Sequence, residues 1–196
     1  MPGPTSLWLM RPADTAWDVD RRLRGATDLP AMEESLRDLR DRVARLEEGP
    51  DVLIHAPDEA AAESARVVAS RFACGVRADR GLRDPDLGLL EGLGIAEFER
   101  RFERRFAEWI ESPLTAVPPE GEPLSDARAR ILDAFAAALD RHEGRRLGLV
   151  VHDFALATVR DALARGDGSA LWSRVEGRGW CTRHVLPEGA AAALGD

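Results

Sequence analysis

Three short apolar runs, each ending at or just before a polar residue, limit what this chain can fold into. The runs cover residues 7–10, 51–55 and 145–151. Between them, apolar side chains recur three and four residues apart, which is the spacing of one helical face. The predicted helices cover residues 32–46, 60–72, 125–141 and 154–164. Short buried strands that alternate with amphipathic helices indicate a parallel sheet, so we expect one α/β domain over residues 1–196.

The remaining segments predict smaller elements. Residues 75–79 fit a further strand, and residues 95–110 fit one helix with an aromatic face and a solvated run of arginines. The aromatic face is formed by Phe98, Phe102, Phe106 and Trp109, and the arginines are Arg100, Arg101, Arg104 and Arg105. The tail fits two strands, residues 171–175 and 180–186, joined by a glycine-containing hairpin turn at residues 176–179.

Composition narrows the class of protein. A chain of 196 residues with 44% hydrophobic residues can bury the core of one domain. The net charge of -8 argues against nucleic acid as a partner, because a phosphate-backbone binder needs a positive face. The two cysteines follow no metal or disulfide spacing, and no apolar run reaches the length of a membrane span. We therefore expect a cytoplasmic protein without metal, cofactor or membrane contact.

The first apolar run leads directly into a polar loop. Pro12 has no backbone N–H and restricts the residue before it, so the strand should end near Arg11. His152 follows the apolar run at residues 145–151 in the same way. Open α/β sheets bind ligands beyond the carboxyl ends of their strands. Arg11 and His152 are therefore candidate ligand-binding residues.

Residues 7–30 resemble the opening of the histidine phosphatase superfamily, the phosphoglycerate-mutase-like proteins. In that family the first strand ends in Arg-His-Gly, followed by Glu-Thr, an aromatic residue and Asn, and the His is the nucleophile that becomes phosphorylated. Arg11, Thr15 and Trp17 match this pattern. Pro12 stands at the place of the nucleophilic His, and Ala13 at that of the Gly.

Later segments extend the resemblance over most of the chain. Residues 82–84 resemble the family's Leu-Arg-Glu, with Asp84 at the position of the acid that protonates the leaving group. Residues 118–122 resemble its Pro-Pro-Gly-Gly-Glu, and residues 150–152 its strand ending in the second active-site His. The resemblance implies a three-layer α/β sandwich with a mainly parallel central sheet flanked by helices.

The departures from the family pattern concentrate where its chemistry lies. At the family's Ser-Ser-Pro motif, followed by Arg-Ala, this chain has His55-Ala56-Pro57 and then Ala60-Ala61, without the phosphate-binding Arg. Of the four groups that hold phosphate in the family, Arg11 and His152 remain, and Asp153 adds a negative charge beside them. Phosphoryl transfer needs an in-line nucleophile and donors to the phosphoryl oxygens. We therefore expect an inactive pseudoenzyme that binds a ligand or a protein.

The alternative is an active phosphomonoester phosphatase or mutase-like enzyme with rearranged catalytic residues, for which His55 is a candidate nucleophile. The expected degenerate site is Arg11, Asp84 and His152, and the expected ligand-binding residues are Arg11, Arg22 and His152.

Purely structural roles also stay open for each of these residues. Arg11 can instead pair with Asp14 or Asp18, His152 can be a buried structural histidine, and Asp84 can be an ordinary turn residue before proline. A small phosphorylated ligand, a protein partner and a homodimer are all compatible with this sequence. The helix at residues 95–110 is the candidate surface for the last two.

Overall fold

The computed structural model describes residues 3–174 and 179–194. Within them a five-stranded sheet runs in the order β3-β2-β4-β1-β5. The strands are β1 (Thr5–Met10), β2 (Val52–His55), β3 (Gly75–Ala78), β4 (Arg146–Val150) and β5 (Cys181–Leu186). β1 through β4 run parallel, and β5 pairs antiparallel with β1 at one edge. The expected mainly parallel sheet is therefore confirmed.

Helices cover both faces of this sheet. Within the described residues they are α1 (Ala16–Val19), α2 (Glu33–Ala44), α3 (Glu59–Phe72), α4 (Ile95–Arg101), α5 (Glu103–Glu111), α6 (Leu124–Arg141) and α7 (Asp153–Leu163). Alternate residues of β1 belong to different cores, as a strand buried on both faces requires. Leu7 and Leu9 pack with residues of α6 and α7, whereas Trp8 and Met10 pack with residues of α2 and α3. The result is the three-layer sandwich.

Strand register brings the loops after three strands to one edge. Met10 of β1 and His55 of β2 both pair with Val150 of β4. The Val151 amide donates to the Met10 carbonyl at 3.1 Å, which keeps the chains side by side as they leave the sheet. Arg11 and His152 consequently emerge next to each other.

Two sequence predictions about local structure were wrong. The predicted single helix at residues 95–110 is two helices, because Phe102 has non-helical backbone angles of φ −133° and ψ 45°. Residues 172–174 form a 3₁₀ turn instead of a strand, while Val175 and the turn at residues 176–178 lie outside the described residues. The predicted helix at residues 125–141 is confirmed as α6, which begins at Leu124, one residue earlier than predicted. None of the helices in the described part of the chain is long and apolar enough to cross a membrane.

Candidate functional site

A cavity of about 360 Å³ opens at the edge of the sheet where β1 and β4 end. Its lining includes the residues of the expected degenerate and ligand-binding site, which are Arg11, Pro12, Arg22, Asp84 and His152. The loop after β1 and the first turn of α7 form its polar part, and α4 and α5 supply much of its apolar wall. The structure thus brings together residues that are up to 141 positions apart in the chain.

Arg11 makes a two-point ion pair with Asp153, the first residue of α7. Its Nε lies 2.9 Å from Asp153 Oδ1, and its Nη2 donates to Oδ2 at 3.2 Å. The partner is therefore neither Asp14 nor Asp18, the two candidates from the sequence. Enclosure by the surrounding protein raises the pKa of Asp153; Arg11 opposes this and the nearby Asp84 carboxylate adds to it. Both side chains keep a partly exposed edge toward the cavity.

His152 is held by a second carboxylate. Its Nε2 lies 2.8 Å from Asp58 Oδ1, and both side chains are almost fully buried. Burial alone would raise the pKa of Asp58, but the hydrogen bond with His152, the Ala61 amide and the charge of Arg24 lower it well below its usual value. An ionised carboxylate only accepts hydrogen bonds, so Nε2 of His152 carries the proton and donates it. The same carboxylate caps the N-terminus of α3.

Asp84 is also fully engaged. Arg24 Nη2 lies 3.4 Å from Asp84 Oδ2, and the two side chains are 7% and 11% exposed. Asp84 Oδ1 accepts from the Ala155 amide at 3.0 Å, and Oδ2 from the Phe154 amide at 3.4 Å. The carboxylate therefore sits at the N-terminus of α7, where unpaired N–H groups favour a negative charge. Sequence reasoning missed Arg24, because nothing marks it among the polar residues after β1.

Glu91 anchors the loop that carries Arg22 and Arg24 through hydrogen bonds to its carboxylate. One carboxylate oxygen of Glu91 accepts from the amides of Ala26 at 2.8 Å and Leu87 at 3.1 Å, and the other accepts from the Thr27 hydroxyl. Arg22 Nη1 donates to the Gly92 carbonyl at 2.9 Å. Both arginines thus reach the cavity from a fixed loop.

The apolar wall of the cavity is aromatic. Trp109 and Trp172 stack with ring centroids 5.2 Å apart, and Trp172 Nε1 donates to the Trp109 carbonyl at 2.6 Å. Phe98 packs edge-on against Phe106 at 5.5 Å, and Phe154 lies 6.0 Å from Trp172. The aromatic face of the predicted 95–110 helix consequently serves mainly as core and cavity wall. The four arginines between these aromatic residues are exposed, as predicted.

His55 and Ala60 lie away from the cavity lining. His55 is buried, with Nδ1 2.6 Å from the Ala56 carbonyl oxygen, so it is not placed as a substitute nucleophile. Ala60 is 1% exposed at the start of α3. Among the residues that the structure describes, no three His, Cys, Asp or Glu side chains converge as metal ligands.

The charged residues that line the cavity give it no positive surplus. Among the described residues these are the arginines Arg11, Arg22 and Arg24 and the aspartates Asp14, Asp18, Asp84 and Asp153. His152 adds none, because its partner Asp58 carries a negative charge whether or not the imidazole is protonated. Sites built for phosphate normally present several uncompensated donors and cations.

The fold and the position of this cavity define an α/β protein of the histidine phosphatase type. The family model described as "Histidine phosphatase superfamily (branch 1)" matches residues 7–186, which include the whole cavity lining. The chain therefore belongs to this superfamily.

Individual relatives agree with this assignment. The chain is 28% identical over 156 residues to a protein described as "Probable phosphoglycerate mutase GpmB" from Enterobacter, covering 78% of this chain and 72% of the relative. The solved structure of Bacillus stearothermophilus YhfR superposes with a TM-score of 0.78 at 27% identity, over 97% of this chain and 99% of that one. A mycobacterial glucosyl-3-phosphoglycerate phosphatase has the same fold, with a TM-score of 0.77 at 22% identity over 92% and 89% of the two chains.

Proposed function

We propose that this chain is a catalytically inactive histidine-phosphatase-like protein that acts by binding a small ligand in the cavity. The observation that supports it best is the pairing of Arg11 with Asp153 and of His152 with Asp58. Each group that the family resemblance assigns to phosphate is already neutralised by a carboxylate of the chain itself.

The residue at the nucleophile position supports the same conclusion. Pro12 directly follows Arg11 after β1, where the resemblance places the nucleophilic His. A proline side chain carries no nucleophile, and its nitrogen carries no hydrogen to donate. Phosphoryl transfer depends on an in-line nucleophile and on stabilisation of charge at the phosphoryl oxygens. Ala60 at the position of the second phosphate-binding Arg removes a further donor.

Binding of phosphate would also carry an electrostatic cost. A phosphate on Arg11 lies beside the Asp153 carboxylate or displaces it from its guanidinium partner. The first arrangement places like charges together, and the second leaves the partly exposed Asp153 carboxylate, whose Oδ1 is buried, without its counter-ion. Either arrangement weakens phosphate binding relative to a site in which the Arg is free.

The test is hydrolysis of p-nitrophenyl phosphate, combined with trapping of acid-labile phosphohistidine. We expect neither hydrolysis nor phosphohistidine above the level of a His152→Asn variant, which measures the background from contaminating phosphatases. An active superfamily member assayed in parallel is the positive control. Saturable hydrolysis that vanadate inhibits and that His152→Asn abolishes would contradict the proposal and favour an enzyme with rearranged catalytic residues.

A further inference from the structure

We infer that the cavity binds an organic amine, with its ammonium group at the Asp153 side of the cavity and an apolar, ring-containing body against the aromatic wall. This inference rests on the proposed function, because it requires that the cavity does not bind a phosphoryl group. Such a ligand has the opposite charge to the small phosphorylated ligand that the sequence left open.

The charges that remain after pairing favour a cation. The Arg24–Asp84 pair is buried and neutral as a unit, and the Arg11–Asp153 pair is neutral as well. Arg22, the remaining lining arginine in the described chain, lies 3.5 Å from Asp20, which is outside the cavity lining. Among the described residues no arginine pairs with Asp14 or Asp18, and Asp18 instead accepts from the amide and hydroxyl of Thr15, so the polar end of the cavity is negative.

The Arg11–Asp153 pair can accept an ammonium group without being broken. A carboxylate has about four lone-pair sites. Arg11 Nη2 donates to one of them at Asp153 Oδ2, and Oδ1 is buried beside Arg11 Nε, so the accessible acceptor is Oδ2. The Asp153 side chain is 46% exposed and the Arg11 side chain 36%, and both line the cavity. An ammonium donor can therefore bind the open side of the carboxylate, whereas an anion at the same place faces it directly.

The aromatic wall suits the body of such a ligand. Phe106 and Trp172 line the cavity and are partly exposed, and the Trp109 stack fixes the Trp172 ring in place. Aromatic faces attract cations as well as apolar groups. Ile95 and Ile110 also line the cavity and are exposed at 37% and 47%, which gives it an apolar entrance. Its volume of about 360 Å³ lies in the range of small-molecule pockets, about 300–1,000 Å³.

A ligand series that varies charge on one body tests the inference. The probes are 2-phenylethylamine, 2-phenylethanol, 3-phenylpropionate and 2-phenylethyl phosphate, measured by titration calorimetry on the intact chain at neutral pH. We expect the amine to bind at least tenfold tighter than the alcohol, and both to bind tighter than the two anions. Tighter binding of either anion, or equal binding of amine and alcohol, would overturn the inference.

Two variants locate the binding. Asp153→Asn should weaken the amine at least tenfold and leave the alcohol nearly unchanged, while Asp140→Asn, an exposed aspartate of α6 outside the cavity lining, should change neither. Phe106→Leu keeps an apolar side chain but removes the ring, and it should weaken the amine about threefold to fivefold. Full amine affinity in both cavity variants would place the ligand elsewhere and contradict the inference.

Failure of this inference is distinguishable from failure of the proposed function. Release of inorganic phosphate from 2-phenylethyl phosphate, abolished by His152→Asn, contradicts the proposed inactivity whatever the order of affinities. Absence of amine binding without any phosphate release contradicts the ligand class alone.

Discussion

Arg11 and Asp153 hold each other through two contacts, of 2.9 and 3.2 Å, across the ends of the neighbouring strands β1 and β4. The two residues are 142 positions apart in the chain. Arg11 directly follows β1, and Asp153 is the first residue of α7. A guanidinium bound at two points has a fixed orientation and little freedom to turn toward a third group. We therefore expect the pair to disfavour an anionic ligand at Arg11.

Removing the carboxylate should open the cavity to anions. We expect the wild-type chain to bind phosphate or vanadate with at best millimolar affinity, about -4 kcal/mol. Asp153→Asn should bind them about tenfold tighter, because one unit of opposing charge next to Arg11 is lost. Titration calorimetry measures both, with Asp140→Asn as the matched control. Micromolar phosphate binding by the wild-type chain would show that the pair does not exclude anions.

Restoring the nucleophile alone should not restore catalysis. Pro12→His leaves Asp153 on Arg11 and leaves Ala60 without a guanidinium, so charge in the transition state stays poorly stabilised. We expect hydrolysis of p-nitrophenyl phosphate to remain at background. Turnover near that of an ordinary superfamily member would mean that the phosphate site is more intact than we propose.

A combined Pro12→His, Ala13→Gly, Ala60→Arg variant has a better chance of turnover, but the structure shows a physical obstacle. Ala60 is 1% exposed, and a long side chain there must displace packed neighbours, at a typical cost of about 1–3 kcal/mol. Thermal unfolding should be measured beside activity. A folded but inactive combined variant would point to Asp153 as the remaining block, which adding Asp153→Asn then tests.

The sequence predicted the sheet better than the elements around it. The apolar runs gave β1, β2 and β4 to within a residue or two, because strands buried on both faces require continuous apolar side chains. The break at Phe102 has no glycine or proline to signal it; aromatic packing of Phe98 with Phe106 and Trp109 accompanies it. β5 was predicted as half of a hairpin, but it pairs with β1, since local alternation shows that a strand exists and not which strand it meets.

Most polar residues of the candidate site could be predicted from the sequence, apart from Arg24, but their contacts could not. Strand ends at one sheet edge and the family resemblance were enough to assemble Arg11, Pro12, Arg22, Asp84 and His152 around one cavity. The carboxylate partner of His152 lies 94 positions away, and no local pattern connects them. Those partners decide the charge of the site, so the sequence alone left a phosphorylated ligand, a protein partner and a homodimer all open.

The pair of His152 with Asp58 should make stability depend on pH in the acid range. The pKa of Asp58 in the folded chain lies below its usual value of 3.8, so the folded state binds this proton less tightly than the unfolded state. The stabilisation is fully present above about pH 3.8 and is lost as pH falls through the lowered pKa.

Asp58→Asn keeps a side chain that can cap α3 but removes the charge, so it isolates this contribution. We expect it to reduce the free energy of unfolding by about 2 kcal/mol at pH 7, as for a hydrogen bond to a charged group. The difference from the wild-type chain should shrink as pH falls below about 4. Urea unfolding between pH 7 and pH 3 measures it, and a difference independent of pH would contradict this role.

Glu91 should hold the loop that carries Arg22 and Arg24. Glu91→Gln is nearly isosteric but replaces one acceptor oxygen with an NH₂ group and loses the charge. Because Glu91 accepts from two amides and a hydroxyl, we expect a loss of about 2 kcal/mol of stability and faster hydrogen exchange at the Ala26 and Leu87 amides. Exchange at amides of β4 should change only with global stability. Unchanged protection of Ala26 would contradict the anchoring role.

The last prediction concerns assembly through α4 and α5. Most of the aromatic face of these helices is turned inward, which leaves the arginine edge, with the partly exposed Phe102 and Ile110, as the surface for a second copy or a partner. Arg101 is exposed, pairs with Glu97 at 2.6 Å and lies over the Phe102 ring at 5.5 Å. Exposed pairs of this kind contribute about 0–1 kcal/mol to folding, so Arg101→Glu with Arg105→Glu should lower thermal stability little.

If this edge is an interface, the double variant should weaken self-association or partner recovery at least tenfold, because reversed charges at an interface repel. Sedimentation velocity and pull-down measure this, and Arg37→Glu with Arg66→Glu, two exposed arginines on α2 and α3, serves as the control with the same change in net charge. Equal assembly in both double variants would show that Arg101 and Arg105 belong to an ordinary solvated face and not to an interface.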